Sequence, residues 1–267
     1  MSDLETPRLA FLAGPGSLDR NGEALVFLHG FGGVAAQWQS WLKAFAPDIA
    51  TFAFDLPGHG GSKDFPGFGP PKVAARAVLA EMNKLAFDRL HLVGHSMGGA
   101  VASLMALMEP EKIASLTLLA PGGFGPEVNH PLLLKWAAAS SRDEITQVLP
   151  HFFGPQFSVP TKLVDFVEGH RARPGAVERL QQIASGIAVD GAQGKLPLEG
   201  LFTRAFPVTV VWGTEDAVLP VHQAERLKPL ADNGKLALRI IEGMGHSPAE
   251  EDRALITRII RQHLADS

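Results

Sequence analysis

The chain has 267 residues, of which 46% are hydrophobic, and its 24 basic and 28 acidic side chains leave a formal net charge of −4. It contains no cysteine and no basic run, which excludes disulfides, thiolate metal sites and a cysteine nucleophile and argues against nucleic acid as a partner. Because the N-terminus lacks a signal pattern and no apolar run approaches the ~20 residues needed to cross a bilayer, we expect a cytoplasmic protein without a membrane span.

Short apolar runs alternate with helical patterns in the first half of the chain. Such an alternation predicts a mostly parallel sheet that is covered by helices on both faces. Between the first two predicted strands, Asn21-Gly22 suits a tight hairpin turn. In chain order the predicted elements are strands over 7–13 and 24–28, a helix over 35–46, a strand over 50–54, a helix over 71–87, a strand from residue 90, a helix after residue 96 and a strand over 116–119.

The run Gly94-His95-Ser96-Met97-Gly98-Gly99 stands between an apolar strand and a stretch of small residues. It matches G-x-S-x-G, the nucleophile elbow, in which a strained strand-to-helix turn lifts a serine hydroxyl clear of the sheet. Side chains at positions 94 and 98 would collide with neighbouring elements in so tight a turn. The alternatives are a glycine-rich structural connection and a phosphate-binding loop, although the phosphate-binding pattern G-x-x-x-x-G-K-[ST] is absent.

The alternation of strands and helices breaks after Pro121. Residues 122–201 contain no convincing buried strand, and their pattern predicts short helices near 130–141, 142–150, 160–171 and 174–189. We therefore predict a core of residues 1–121 and 202–267 and an inserted helical cap of residues 122–201 that lies over the site.

An acidic residue and a histidine follow the last two predicted strands. Asp216 comes just after the strand over 208–212, with Glu215 as its adjacent competitor, and His246 lies in a glycine-flanked loop after the strand over 237–241. The chain order Ser96, Asp216, His246 is that of one of the known serine triads. Each residue follows a parallel strand at its carboxyl end, where open α/β sheets place their sites.

Five ordered runs make the chain resemble the α/β-hydrolases that use a serine nucleophile. The resemblance extends from about Ala24 to the C-terminus and implies the α/β-hydrolase fold with a cap after the sixth strand. A closer resemblance is to the hydrolase-like catalytic domain of acetoin dehydrogenase E2 subunits, which are of the dihydrolipoamide acetyltransferase type. Those subunits carry an N-terminal lipoyl domain, which is not expected here because too few residues precede Ala24. The matching runs are Phe27-Leu28-His29-Gly30-Phe31-Gly32-Gly33, Asp55-Leu56-Pro57-Gly58-His59-Gly60-Gly61-Ser62, the run at Ser96, Trp212 to Pro220, and Gly245-His246.

The resemblance and the residue types together suggest a role for each member of the site. Ser96 is the expected nucleophile, His246 the base that later protonates the leaving group, and Asp216 the carboxylate that orients the imidazole. The backbone N–H groups of Met97 and Phe31 are the expected oxyanion hole.

The remaining site residues are assigned structural or pocket roles. His29, His59 and His95 are expected to hold loops together by hydrogen bonds, and Glu251 is expected to be structural. No spacing such as H-E-x-x-H is present, so neither a metal nor a cofactor is predicted. The predicted substrate pocket includes Phe31, Phe124, Trp136, Phe153 and Val218.

These patterns predict a carboxylesterase-like serine hydrolase that cleaves a carboxylic ester, or a related acyl bond, of a small and largely apolar substrate through an acyl-enzyme. The same triad also suits an acyltransferase, a thioesterase, a perhydrolase or a carbon–carbon hydrolase. A non-catalytic ligand-binding protein on the same fold is the alternative from another class. The expected partner is a small acyl substrate, and the sequence leaves the oligomeric state open.

Overall fold

The computed structural model describes residues 7–266, which form a seven-stranded sheet, a separate two-stranded ladder and the helices around them. The strands are β1 (Phe11–Ala13), β2 (Gly22–Leu28), β3 (Ala50–Phe54), β4 (Phe87–His95), β5 (Ile113–Leu119), β6 (Ala188–Val189), β7 (Ala192–Gln193), β8 (Val208–Gly213) and β9 (Ala237–Ile241). The α-helices are α1 (Gln39–Phe45), α2 (Pro71–Lys84), α3 (Met97–Met108), α4 (His130–Ala138), α5 (Arg142–Val148), α6 (Thr161–Arg171), α7 (Ala176–Ile187), α8 (Leu198–Leu201), α9 (His222–Glu225), α10 (Lys228–Asp232), α11 (Pro248–Glu251) and α12 (Arg253–Ala265). Within residues 7–266, no helix has both the length and the apolar character that a bilayer crossing requires.

The main sheet has the strand order β1-β3-β2-β4-β5-β8-β9, and every neighbouring pair except β1 and β3 is parallel. All residues of β3, β5 and β8 are buried, because helices cover both faces of the sheet. The predicted mostly parallel sheet flanked by helices is therefore confirmed. Since β4, β8 and β9 run in the same direction, the loops that follow them meet at one edge of the sheet.

The predicted hairpin between the first two strands is wrong. β1 pairs with β3 in antiparallel fashion, and β3 lies between β1 and β2. The ring of Phe11 packs 5.9 Å from that of Phe52 and 5.4 Å from that of Phe54, so the apolar side of β1 is covered by β3. The connection to β2 is anchored instead by Ser17, whose hydroxyl accepts a hydrogen bond from the Thr51 backbone N–H at 2.9 Å.

Two apolar clusters hold the sheet in place. On one face, Trp38 and Trp41 surround Phe27 with ring-centroid distances of 5.1 and 6.1 Å, and Ile256 and Ile260 of α12 complete the cluster. On the other face, a larger cluster joins the sheet to α2, α3 and the helices between β5 and β8. Aromatic side chains of this kind bury on the order of 150–250 Å² each, so the strand ends that carry the site are rigidly supported.

Four helices, α4 to α7, lie between β5 and β8 and outside the main sheet, where helices are predicted. Side chains set two of their starts: the Asn129 side chain accepts from the Leu132 N–H at 3.1 Å, and Ser141 and Glu144 form a capping box. Helices α4, α5 and α7 end a few residues earlier than predicted, and the ladder β6–β7 and helix α8 follow without having been predicted. The division into a core of residues 1–121 and 202–267 and a cap of residues 122–201 stays a prediction.

Candidate active site

Ser96 occupies the turn between β4 and α3 with φ 53° and ψ −116°, a conformation that non-glycine residues rarely adopt. A Cβ at Gly98 would collide with the backbone oxygen of Leu28, and a Cβ at Gly94 would collide with the backbone of Gly98. The predicted collisions at these two positions are thus present in the structure. The strained residue is held by its own N–H, which donates to the Leu119 carbonyl at 2.9 Å.

Asp216 and His246 form a buried pair beside this turn. His246 Nδ1 lies 2.7 Å from Asp216 Oδ2, and both side chains are almost fully buried. Asp216 Oδ1 accepts from the backbone N–H groups of Val218 at 2.9 Å and Leu219 at 2.8 Å. The carboxylate is therefore fixed on both oxygens, and its hold on Nδ1 leaves Nε2 as the nitrogen free for proton transfer. The competitor Glu215 is exposed and does not contact the imidazole.

Ser96 and His246 line the same cavity. Other contacts position the histidine: its backbone N–H donates to the Phe152 carbonyl at 3.0 Å, and its carbonyl accepts from His95 Nε2 at 2.6 Å. Among the hydrogen bonds of residues 7–266, none joins the Ser96 hydroxyl to the imidazole. Hydroxyl–imidazole contacts are often looser before substrate binds, so this arrangement is compatible with nucleophilic catalysis.

Two backbone donors belong to residues near Ser96, because Met97 follows it in the chain and Phe31 lines the same cavities. Within residues 7–266, the N–H groups of Phe31 and Met97 have no hydrogen-bond acceptor in the protein. Met97 is the first residue of α3, where the helix dipole favours a negative charge. Phe31 lies in a turn closed by the Gly33 N–H, which donates to the Gly30 carbonyl at 3.0 Å. Free donors at these two positions can stabilise an oxyanion on a carbonyl bound at Ser96.

The three histidines beside glycines each make hydrogen bonds that tie loops together. His29 Nε2 accepts from the Leu56 N–H at 3.0 Å, and His59 Nε2 accepts from the Gly32 N–H at 3.1 Å. Burial lowers the pKa of His29 to about 4 and the pKa values of His59 and His95 to about 3. These imidazoles are therefore neutral at physiological pH and act as loop supports. In the described part of the chain, no three His, Asp or Glu side chains converge as metal ligands would.

Acidification from pH 7 to pH 5 is expected to lower the free energy of unfolding. The folded-state pKa values of His29, His59 and His95 lie below the ordinary value of 6.5, so in this range the unfolded chain binds protons that the folded chain does not. Each imidazole contributes a loss of about 1.4 kcal/mol per pH unit below its unfolded pKa. Urea unfolding at several pH values measures the slope, and a free energy of unfolding that stays level down to pH 5 would contradict this account.

Two cavities meet at Ser96. The first has a volume of about 120 Å³ and the second about 570 Å³, and both are lined by Phe31, Ser96 and Leu133. The walls of both are mainly apolar, which is typical of sites for small organic molecules. A substrate whose carbonyl lies at Ser96 can therefore extend into a chamber on either side.

The structure brings most of the predicted pocket residues to these cavities. Trp136 and Phe153 line the first cavity and Val218 lines the second. Leu133 and Phe152 also line the first cavity and are absent from the predicted pocket. Phe152 is adjacent in sequence to the predicted pocket residue Phe153, which is the signal that could have identified it.

The prediction for Phe124 is wrong. Its ring packs against the rings of Phe202 and Trp212, with centroid distances of 6.3 Å to each, and it lines neither cavity beside Ser96. The side chain is buried in the larger apolar cluster. An aromatic residue just after a strand end can face either the site or the core, and here Trp212 of β8 offers an apolar surface beneath it.

Glu251 connects the segment between α5 and α6 to the loop that carries His246. Its carboxylate accepts from the backbone N–H groups of Gly154 at 2.8 Å, Gly245 at 3.0 Å and Ser247 at 3.3 Å. Gly245 and Ser247 flank His246, whereas Gly154 belongs to the segment between α5 and α6. The carboxylate therefore fixes the histidine loop against that segment, in agreement with its predicted structural role.

Comparisons with known proteins agree with this architecture. The sequence pattern of the alpha/beta hydrolase family matches residues 25–258. The chain is 31% identical over 244 residues to the dihydrolipoyllysine-residue acetyltransferase component of the acetoin cleaving system of Cupriavidus necator, and the match covers 91% of this chain but only 63% of that relative. It is 28% identical to a 2-hydroxy-6-oxo-6-phenylhexa-2,4-dienoate hydrolase of Comamonas testosteroni, with 90% of this chain and 88% of that protein covered.

A solved structure shows the same fold. A meta-cleavage product hydrolase of Pseudomonas fluorescens superposes with a TM-score of 0.82 at 20% identity, covering 97% of this chain and 94% of that chain. The resemblance drawn from the sequence motifs, including that to the acetoin components, is thus confirmed.

Proposed function

Since the chain belongs to the alpha/beta hydrolase family, we propose that it is a serine hydrolase that cleaves a carboxylic ester, or a related acyl bond, of a small and largely apolar substrate. The observation that carries the proposal is the buried Asp216–His246 pair, held at 2.7 Å, whose imidazole lines the same cavity as the strained Ser96. A ligand-binding protein would not require a carboxylate to fix the imidazole in the cavity that contains this serine.

The first half of the reaction forms an acyl-enzyme. Ser96 Oγ attacks the carbonyl carbon while its proton passes to His246 Nε2, and Asp216 stabilises the imidazolium. The N–H groups of Phe31 and Met97 donate to the oxyanion of the tetrahedral intermediate. The carbon–oxygen bond then breaks as His246 Nε2 returns the proton to the leaving alkoxide.

The second half of the reaction releases the acid. Water attacks the acyl carbonyl and gives a proton to His246 Nε2, and the bond to Ser96 Oγ breaks as that proton returns to the serine. The apolar walls of both cavities suit an apolar acyl group and an apolar leaving group.

Two other reactions at the same three residues have specific support. The similarity to a dienoate hydrolase over 88% of its length supports hydrolysis of a carbon–carbon bond. The similarity to an acetyltransferase component supports transfer of the acyl group to a thiol or an alcohol. In each case the bond that breaks or the acceptor of the acyl group differs, while the imidazole and the oxyanion donors keep their roles.

Rapid mixing with p-nitrophenyl butyrate tests the proposal. We expect a burst of p-nitrophenol equal to the enzyme concentration or a fast steady state, together with a butyryl adduct on the peptide that contains Ser96. Addition of a thiol or an alcohol separates hydrolysis from transfer, because transfer diverts the acyl group to a new ester or thioester. Absence of both turnover and adduct in the folded protein would overturn the hydrolase proposal and favour ligand binding.

A further inference from the structure

Arg171, the last residue of α6, is buried without a counter-ion. It is 5% exposed, and within residues 7–266 no carboxylate forms an ion pair with it. Its Nη1 donates to the Ala137 carbonyl at 3.4 Å, its Nη2 is buried without a hydrogen-bond partner, and the guanidinium lies 4.6 Å from the centre of the Trp136 ring. Buried charges are ordinarily paired, so the free Nη2 identifies Arg171 as an unsatisfied cation.

The contacts that Arg171 does make leave its desolvation largely uncompensated. A cation–π contact is weak beside the free-energy cost of desolvating an ion, and the carboxyl end of α6 adds only a partial negative charge. Burial lowers the pKa of Arg171 to about 10, so the side chain remains positively charged at neutral pH.

A third cavity of about 90 Å³ contains this cation and adjoins the cavity of the reacting serine. Its wall contains Arg171 and shares Gly32, Gly33, Phe166 and Val167 with the first cavity, which contains Ser96. Gly32 directly follows the oxyanion donor Phe31. A Cβ at Gly32 would lie 2.6 Å from Trp136 Nε1 and 3.4 Å from Arg171 Nη2, so the glycine allows the loop to pack against the guanidinium.

The charged side chains in the wall of this third cavity are basic. Besides Arg171 they are Lys63 and Arg173, and the wall also contains His170, whose Nδ1 is buried without a hydrogen-bond partner. Lys63 is paired at the surface with Asp64 at 3.4 Å. Among the described residues, no Asp or Glu side chain lines the cavity.

The carboxylate of Asp55 lies close to this wall and already has hydrogen-bond donors. Burial lowers the pKa of the neighbouring His170, and Asp55 opposes that lowering only in part. Its two oxygens accept hydrogen bonds from the Ala35 N–H at 2.6 Å and the Gly61 N–H at 2.7 Å. Asp55 therefore supports the backbone and leaves the Arg171 guanidinium available to a ligand.

We propose that Arg171 anchors an anion-binding subsite beside Ser96, and that the substrate of this hydrolase is an acyl compound that carries a carboxylate. Guanidinium groups pair with carboxylates through two parallel N–H donors, and a cavity of about 90 Å³ has room for one such group. The proposal rests on the proposed hydrolase function and adds the class of substrate. It also accounts for the buried guanidinium, whose Nη2 has no hydrogen-bond partner among the described residues.

Matched esters that differ only in charge test the subsite. The p-nitrophenyl monoesters of adipate, pimelate and suberate replace the terminal methyl of the corresponding n-alkanoate esters by a carboxylate. We expect the wild-type protein to have a higher kcat/KM for at least one monoester than for its neutral counterpart. In Arg171→Met this ratio is expected to fall by about tenfold or more, with the neutral ester affected less than threefold, and Arg171→Lys is expected to retain part of the ratio.

Arg142→Met is the matched control. Arg142 is also an arginine of the cap, but it is exposed and pairs with Asp165 and Glu168 of α6 at 2.8 Å each. Its removal loosens the same helix without touching the subsite, so the ratio of anionic to neutral ester should not change.

A binding measurement tests the subsite independently of catalysis, and it does not require that Arg171→Met folds. Adipate, but not the neutral adipamide, is expected to raise the melting temperature of the wild-type protein, and this rise is expected to be smaller in Arg171→Lys. A folded Arg171→Met with an unchanged ester ratio, or equal thermal shifts with adipate and adipamide, would overturn the subsite. Turnover of neither class of ester combined with an adipate-specific shift would instead overturn the hydrolase function and leave the anion site established.

Discussion

Replacement of Ser96 by alanine is expected to lower kcat for p-nitrophenyl butyrate by ~10⁴-fold or more while the protein stays folded. The chain has no cysteine that could replace the hydroxyl, and Ser96 lines the same cavity as the imidazole of His246 and as Phe31, which has one of the two free backbone donors. Alanine carries the same Cβ as serine, so it tolerates the positive φ as well as serine does and the turn is preserved.

Three measurements distinguish a loss of catalysis from a loss of folding in the Ser96→Ala variant. Steady-state kcat reports the reaction, intact mass after a fluorophosphonate reports the nucleophile, and thermal unfolding reports the fold. Ser185→Ala is the control, because the Ser185 hydroxyl on α7 bonds only to the Gln182 carbonyl within residues 7–266. If Ser96→Ala keeps most of the turnover or still gains the fluorophosphonate mass, another residue is the nucleophile and the mechanism is wrong.

Replacement of Asp216 by asparagine is expected to lower kcat by about 10³- to 10⁴-fold with a much smaller effect on stability. Oδ1 accepts from two backbone N–H groups, so in the variant the amide oxygen must stay there and the NH₂ group must face His246. That NH₂ donates to Nδ1 and forces the imidazole to carry its proton on Nε2, the nitrogen that has to accept the serine proton.

Glu215→Gln is the matched control for the carboxylate. Glu215 is the neighbouring acid in the same turn, yet it is exposed and bonds to Thr214 rather than to the imidazole. The Glu215→Gln variant should therefore retain the wild-type kcat and melting temperature. Equal losses in both variants would show that the turn as a whole matters rather than the carboxylate on His246.

The local sequence pattern was sufficient to predict those strands and site residues whose positions depend on neighbouring residues in the chain. The strands over 50–54 and 237–241 have the predicted bounds, because each is an apolar run that ends at a turn. Ser96, Asp216 and His246 could be selected together because parallel strands deliver their following loops to one edge of the sheet. The pattern W-G-x-x-D-x-x-x-P, which the run from Trp212 to Pro220 matches, favours Asp216 over Glu215.

The wrong and missing predictions concern features that depend on contacts between segments far apart in the chain. Asn21-Gly22 predicts a hairpin by itself, but the pairing of β1 depends on the aromatic residues of β3. Phe124 could have faced the cavity or Trp212, and only the packing of the cap settles that choice. Arg171 gave no signal in the sequence, since neither the burial of a cation nor the absence of its partner can be read from neighbouring residues.

The hydrogen bonds of the histidine loop to the cap have a consequence for exchanging caps among members of the family. The Phe152 carbonyl and the Gly154 N–H are hydrogen-bonded to His246 and Glu251, so residues 152–154 also position the proposed general base. A chimaera in which residues 122–201 are replaced as one block is expected to remove these hydrogen bonds and displace the imidazole. Transplants that retain residues 152–154 and exchange only the helices on either side would change specificity while the proton-transfer geometry is preserved.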